Sequence, residues 1–255
     1  MRRRSMFAAT EVAPMTLHLI IGAGGGIGQA LTNHSLSQSS QRVVAVSRQA
    51  DSGLKPVSHP RLTRLQCDNS AAAIAGVMET LMPQRHQLTR VTLCNGRLHH
   101  RDLSPEKRIE QLNDTALTKL YLSNAVVPAL WLSQLLPLLQ RSRHCVITVL
   151  SARVGSIGDN RLGGWYGYRA SKAALNQLLQ TAAVEASRRA KGVKLVAYHP
   201  GTVDTALSRP FQSRLPPGQL LSPQQAAHQL FRVTETLEAD GQLSYLDWRG
   251  EAIPW

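Results

Sequence analysis

The stretch Leu17-His18-Leu19-Ile20-Ile21-Gly22-Ala23-Gly24-Gly25-Gly26-Ile27-Gly28 constrains the fold of this chain more than any other. Its apolar half is short enough for a buried strand, and Gln29-Ala30-Leu31 after the glycines reads as a helix start. Glycines permit positive φ and close backbone approach, and a helix N-terminus offers free N–H groups to a phosphate. Gly22, Gly26 and Gly28 follow a G-x-x-x-G-x-G spacing rather than the G-x-G-x-x-G of the standard dinucleotide fingerprint. Gly24 and Gly25 allow other registers to be drawn.

Strand and helix signals alternate along the rest of the chain. Strands are expected at Arg42–Ser47, Leu62–Cys67, Val91–Cys94, Cys145–Leu150, Lys194–His199 and Gln242–Leu246. Helices are expected at Ala71–Met82, stopped by Pro83, and at Tyr168–Ala190. Ser104-Pro105 supplies an N-cap and a Pro at the first helical position, opening a helical region that runs to Leu139 with breaks near Pro128 and Pro137. Ser222-Pro223-Gln224-Gln225 is a capping-box start for a last helix to about Leu237. Continuous apolar strands alternating with helices argue for an α/β fold: a Rossmann-type, doubly wound parallel sheet in three layers, one domain over residues 15–255. A chain of 255 residues can bury one sizeable core of this kind.

Residues 1–14 show no packing pattern. Arg2-Arg3-Arg4 resembles the start of a signal peptide, but no apolar segment follows, so the segment reads as a disordered extension with Met15 as an alternative start. No apolar run reaches the roughly 18 residues that span a bilayer. Cys67, Cys94 and Cys145 have no C-x-x-C spacing and read as reduced thiols of a cytoplasmic protein, with no metal site. The net charge of +13 raises the question of a nucleic-acid partner. The arginines are scattered and aromatics make up only 5%, so no interleaved basic and aromatic block exists beyond Arg2-Arg3-Arg4. Part of the positive field is expected to serve a phosphorylated cofactor or an anionic substrate.

Chemistry concentrates in Tyr168-Arg169-Ala170-Ser171-Lys172. Residues i and i+4 of a helix share a face, so a phenol and an ammonium can enter one pocket. Their ordinary pKa values, about 10 and about 10.4, suit neither to proton transfer at neutral pH unaided. A nearby ammonium favours the phenolate and makes the Tyr a better acid towards an oxyanion. Cofactor preference is legible at the end of the second strand. An NAD enzyme places a carboxylate there for the ribose 2′-OH, whereas Ser47-Arg48 offers a guanidinium suited to a 2′-phosphate. NADP(H) is therefore expected ahead of NAD(H).

Gly22–Gly28, Asp68, Cys94-Asn95-Gly96, Asn124, Tyr168/Lys172 and Pro200-Gly201-Thr202-Val203-Asp204-Thr205 occur in the order found in the short-chain dehydrogenase/reductase family. From Met15 to the C-terminus the chain resembles that family. Ser151–Asn160, the run Gly163-Gly164-Trp165-Tyr166 and the Trp-ending tail most resemble its C-factor-like branch. The resemblance implies an enzyme that passes hydride between a nicotinamide and a ketone, aldehyde or secondary alcohol, as a homodimer or homotetramer. Tyr168 then handles the proton, Lys172 lowers its pKa and bonds the ribose, and Asn124 holds a relay water. Gly22, Gly26, Ile27, Gly28, Ser47, Arg48, Asp68, Asn95, Gly96, Pro200, Gly201, Val203 and Thr205 join Tyr168 and Lys172 in holding the cofactor. Asp68 contacts adenine or, on a local reading, caps the Ala71 helix. Val203 and Thr205 face the carboxamide.

Two departures stand out against that pattern. Cys94 replaces an Asn of the N-A-G turn. The catalytic-serine frame S-x-x-G falls on Ala152-Arg153-Val154-Gly155, which leaves Ser151 and Ser156 as the neighbouring hydroxyls that can substitute. Losing a positioned oxyanion donor costs about 10²–10³ in rate. The resemblance therefore leaves a second class open: a cofactor-binding sensor or signalling protein with little turnover.

Overall fold

Apolar strands flanked by helices decide the architecture. The computed structural model describes residues 15–49, 59–100 and 102–255, and the extension expected over residues 1–14 lies outside them. The strands are β1 (Thr16–Ile21), β2 (Gln41–Ser47), β3 (Leu62–Gln66), β4 (Leu88–Leu93), β5 (Cys145–Leu150), β6 (Val193–His199), β7 (Thr202–Val203), β8 (Leu220–Leu221) and β9 (Leu243–Asp247). The helices are α1 (Gly26–Ser37), α2 (Ala71–Leu81), α3 (Asp114–Tyr121), α4 (Val127–Leu138), α5 (Tyr166–Arg189) and α6 (Pro223–Thr234). Seven strands pair in parallel in the order β3-β2-β1-β4-β5-β6-β9, while β7 and β8 form a separate two-stranded ribbon. The order reverses between β1 and β4, and in such sheets ligands bind outside the C-terminal strand ends at that reversal.

Side chains alternate across the sheet with period two. Leu17, Leu19 and Ile21 of β1 enter a core shared with Ile74 and Val77 of α2, Trp131 and Leu135 of α4, and Leu175 and Leu179 of α5. Ile20 enters the opposite core with Leu31 of α1 and Ala227 and Leu230 of α6. The result is a three-layer, single-domain α/β sandwich.

His18 also points to the α1/α6 side, where its ring is fully buried. It is hydrogen-bonded to Ser35 Oγ at 2.7 Å and to Thr92 Oγ1 at 2.9 Å, tying β1 to α1 and β4. Arg90 stacks over Phe231 beside it, at 4.4 Å from the ring centroid. Burial first, then the Arg90 charge, holds the His18 pKa well below its usual value.

Several boundaries depart from the sequence-based expectation. Ser104-Pro105 opens no helix. A 3₁₀ turn at Ile109–Gln111 follows, and α3 begins only at Asp114, capped by Asn113, whose side chain accepts from Ala116 N–H at 2.8 Å. Pro128 lies in the first turn of α4, where it is tolerated, and Pro137 lies inside that helix. The interruption falls instead at Leu122–Val126, a π-helical turn between α3 and α4. Ser70, rather than Asp68, caps α2; Asp68 accepts from Ser70 N–H at 2.8 Å in the preceding turn.

The buried histidines make stability pH-dependent. The folded pKa of His18 is depressed, and burial brings His199 at the end of β6 down to about 4. The unfolded rings, at about 6.5, then bind more protons than the folded ones below that pH. Folded stability is therefore complete above pH ~6.5 and falls as the pH drops towards 4, each ring contributing a slope of up to about 1.4 kcal/mol per pH unit. Urea unfolding between pH 8 and 4 should show this decline, with a shallower slope in His18→Gln; pH-independent stability over that range would contradict it.

Candidate active site

The glycine turn is shaped by contact as much as by conformation. Gly22 has φ +80°, and a Cβ there would stand 3.2 Å from the Cys94 carbonyl carbon. At Gly28 a Cβ would meet Gly22 O at 2.4 Å, so α1 can close onto the end of β1 only with glycine there. The N-terminus of α1 thus opens directly above the sheet, with no side chain capping its first N–H groups.

A groove of about 810 Å³ runs over the ends of β1, β2, β3 and β4, lined by Gly22, Gly24, Gly25, Ser47, Arg48 and Asp68, and further on by Asn95 and Gly96. Ser47 donates to the Gln49 carbonyl at 2.6 Å, while Arg48 and Asp68 stand exposed at the rim. Arg97 and Lys119 add two cations to the lining that sequence reasoning did not find. Arg97 follows Gly96 and was within reach of the motif. Lys119 had no local signal, because a tertiary contact brings α3 to the groove. Asn95 Oδ1 is buried there without a donor.

Val203 and Thr205 approach the glycine turn from the other end of the sheet. A Cβ on Gly26 would sit 2.9 Å from Thr205 Cγ2, and Ile27 packs with Val203, Leu221 and Ala226. Pro200 follows β6 half-buried, and Gly201 takes φ +75° against the Trp248 ring. A flat, phosphorylated dinucleotide fits this cradle: glycines where a Cβ would intrude, open helix N–H groups, three cations and an unpaired amide oxygen.

Tyr168 and Lys172 lie one turn apart on α5, both buried. Gly96 joins them to the groove, since a Cβ on it would lie 3.8 Å from Lys172 Nζ and 3.9 Å from Asn124 Oδ1. Lys172 Nζ donates to the Leu150 carbonyl at 2.7 Å, and the amine sits 5.9 Å from the Tyr168 ring centroid. Gly155 makes room for this lysine, as a Cβ there would meet Lys172 Cβ at 2.9 Å.

Asn124 sits in the π-helical turn with no solvent exposure. Its Oδ1 accepts from Arg97 N–H at 2.7 Å, and its Nδ2 donates to the Arg97 carbonyl at 2.8 Å and to Ser171 Oγ at 2.9 Å. Ser171 in turn donates to the Tyr168 carbonyl at 2.8 Å. The extra residue of a π-turn aims a side chain inward that an unbroken helix would carry past. Asn124 thereby couples the loop after β4 to the backbone of Tyr168.

Electrostatics run against the simplest expectation for the pair. Burial pushes the Tyr168 phenol up and brings the Lys172 amine down to about 7. Desolvation outweighs any pull of the ammonium on the phenol, so Tyr168 is held as a neutral acid and Lys172 is poised to titrate near neutrality.

Neither neighbouring serine reaches Tyr168 with its hydroxyl. Ser151 points to the α5 side and donates to Asn176 Oδ1 at 2.7 Å, and Ser156 Oγ accepts from Asp159 N–H at 3.0 Å. Both are buried in these bonds. Ala152 is the residue that joins Tyr168, in an apolar cluster with Leu98, Leu103 and Leu120, flanked by Trp165 and Phe211.

Residues 16–215 match the family model described as short chain dehydrogenase. The chain belongs to this family. It is 33% identical over 136 residues to a 1-hydroxy-2-glutathionyl-2-methyl-3-butene dehydrogenase from Rhodococcus sp. (strain AD45), covering 52% of this chain and 55% of that protein, so it spans about half the length of that relative. It is 28% identical over 139 residues to the C-signal protein of Myxococcus xanthus, covering 54% of this chain and 78% of that one. A benzil reductase ((S)-benzoin forming) of Bacillus subtilis is 29% identical over 202 residues, covering 78% of this chain and 79% of that one. Among solved structures, a short-chain dehydrogenase/reductase from Burkholderia multivorans with bound NADP is 26% identical with a TM-score of 0.77, covering 95% of this chain and all (100%) of that one. Among the described residues no helix is long and apolar enough to cross a membrane.

The serine geometry gives a direct expectation. Ser151→Ala should leave turnover near wild type and cost roughly 1–3 kcal/mol of stability, because Asn176 Oδ1 loses its buried donor. Ala152→Ser, which puts a hydroxyl beside Tyr168, should hold or raise kcat. Comparing kcat and urea midpoints of the two variants checks both; a tenfold fall in kcat for Ser151→Ala with unchanged stability would assign it the oxyanion.

Proposed function

We propose that the protein is an NADP(H)-dependent oxidoreductase that reduces a ketone or aldehyde, or oxidises the matching secondary alcohol, with Tyr168 as general acid and base. One observation carries this reading: Gly96 joins a dinucleotide-shaped groove to Lys172 and Asn124. Pure binding needs no buried phenol at that junction. The NADP-bound relative and the benzil reductase support the cofactor and the substrate class.

In this reading a nicotinamide cofactor would supply hydride-transfer chemistry when bound. The residues of this chain do the rest. Arg48 would pair with a 2′-phosphate, and the N–H groups at the start of α1 would hold a pyrophosphate. Leu98, Leu103, Ala152, Trp165 and Phe211 pack with Tyr168 in one apolar cluster, which would give the neighbourhood of the phenol an apolar character suited to a carbonyl carrying apolar groups. Tyr168 gives its proton to the carbonyl oxygen as negative charge develops there. The Lys172 ammonium stabilises the phenolate that this step leaves.

Ala152 favours a second reading, a cofactor-binding signalling protein with little turnover, because the hydroxyl expected beside Tyr168 is absent. Following NADPH absorbance against a panel of apolar ketones and diketones separates the two. Steady oxidation of NADPH supports the reductase, and tight binding without consumption supports the sensor.

Three further outcomes are expected. Fluorescence titration should show NADPH bound more tightly than NADH, and Arg48→Ala should remove the preference by about 1.5–3 kcal/mol, the worth of a charge-assisted bond; equal affinities in the wild type would refute the assignment. Tyr168→Phe should abolish reduction while leaving NADPH binding nearly intact. With Lys172 at about 7, the wild-type rate of reduction should decline as the pH rises through that value and the ammonium is lost. A flat rate profile to pH 9 would place the supporting charge elsewhere.

A further inference from the structure

Helix α5 begins in an unusual way. Gly163, Gly164 and Trp165 all have left-handed backbone, with φ +63°, +65° and +53°. A tryptophan rarely adopts this conformation, which costs about 1–2 kcal/mol for a residue with a Cβ. Trp165 occupies the N-cap position, and no side chain from the cap itself satisfies the first N–H groups. The partners come from a segment far away in sequence. The backbone carbonyl of Glu106 accepts from Trp165 N–H at 2.5 Å, and its carboxylate Oε2 accepts from Gly167 N–H at 3.2 Å. Arg169 reaches back to hold the glycines, donating to the Gly164 carbonyl at 2.9 Å and the Gly163 carbonyl at 3.1 Å.

Glu106 is only 3% exposed. Its second oxygen, Oε1, is buried without a donor and would lie 2.9 Å from a Cβ on Gly167. Leu120 and Leu117 press on the same glycine from the side. A desolvated carboxylate is expensive, and the field of a helix N-terminus is one place where it is stabilised. Gly167 is the residue next to Tyr168, so the bond that holds its N–H also fixes where the phenol enters the site.

We infer that Glu106 is a positioning residue for the proton donor: it caps α5 from outside the helix and sets the place of Tyr168 through Gly167 and Trp165. The inference rests on the reading of Tyr168 as the acid. The essential element is the acceptor oxygen on Gly167 N–H. Displacement of a reacting group by about 1 Å can cost on the order of 10²-fold in rate, so the effect falls on kcat rather than on assembly of the groove.

The test compares Glu106→Ala, Glu106→Asp and Glu106→Gln in the full chain. It reads kcat and KM on the best ketone of the panel, NADPH affinity by fluorescence, and amide hydrogen exchange over residues 163–170. Glu106→Ala should lower kcat by about 10- to 100-fold with faster exchange in that segment and NADPH affinity largely kept. Glu106→Asp retracts the oxygen and should fall between Ala and wild type. Glu106→Gln keeps an acceptor in place, and should restore both kcat and exchange protection to near wild type. Wild-type kcat in Glu106→Ala, or Glu106→Gln as impaired as Glu106→Ala, overturns the inference. Should the alanine variant fail to fold, Glu106→Asp and Glu106→Gln still decide: equal, wild-type kcat and exchange in both overturns it. If the wild type reduces no ketone, the proposed function fails, and the exchange data separately decide whether Glu106 holds the helix start.

Discussion

Lys172 carries an amine into the seam between β5 and α5, where it is almost wholly buried, and much of the site follows from housing it. A buried ammonium must be hydrogen-bonded or lose its proton. The single carbonyl it meets, that of Leu150, belongs to the last residue of the strand that leads into the serine-frame loop. Only glycine fits at 155, where a Cβ would strike the lysine stem, and glycine at 96 leaves the amine open to the groove. The π-helical turn then brings Asn124 to the same point. With one bond to the Leu150 carbonyl and burial stripping most of its water, the amine is brought to about 7, close to the pH at which a proton is most readily exchanged.

The sheet was legible because continuous apolar runs have few ways to be buried. Every strand of the seven-stranded sheet was foreseen within three residues of its ends, and the paired glycine and Tyr-Lys motifs were placed at the strand ends and on α5. What could not be read shares one cause: a tertiary contact outcompeting a local signal. Ser104-Pro105 is a sound helix start in isolation, yet residues 104–106 form no helix. Glu106, one residue on, is drawn to the open end of α5, and that contact satisfies N–H groups that no local cap reaches. Lys119 enters the groove by the same kind of event. Asp68 lost the capping role to Ser70 by a shift of two residues, within the usual uncertainty of helix ends.

The serine question shows what alternation along a strand decides. Ser151 has the parity of Ile147 and Val149, which pack on the α5 side, so its hydroxyl goes to Asn176. Ala152 turns the other way, into the apolar cluster around Tyr168. Position 152 thus faces the same cluster as Tyr168, and the alanine there carries no hydroxyl to offer. The Tyr245 hydroxyl donates to the Ala152 carbonyl at 2.6 Å and fixes this loop from behind, so its backbone is held even though its side chain donates nothing.

A dry pocket has opposite effects on the two halves of a proton transfer. Burial raises the Tyr168 phenol, which disfavours the phenolate; in the proposed reading this would slow alcohol oxidation, where Tyr168 would first have to lose its proton. In the reducing direction the same burial keeps the proton in place until charge develops on a carbonyl oxygen, and it strengthens the one donor that meets that charge. If Ala152 holds the serine position, as the proposed reading has it, a carbonyl oxygen gaining charge would have Tyr168 alone as its side-chain donor. A carbonyl activated by an electron-withdrawing neighbour, such as a second carbonyl, has its developing alkoxide stabilised inductively and would need less from the protein. In the proposed reading, the apolar cluster of Leu98, Leu103, Trp165 and Phe211 around Tyr168 and the alanine at 152 would therefore favour the same kind of molecule, an apolar carbonyl activated by its own substituents.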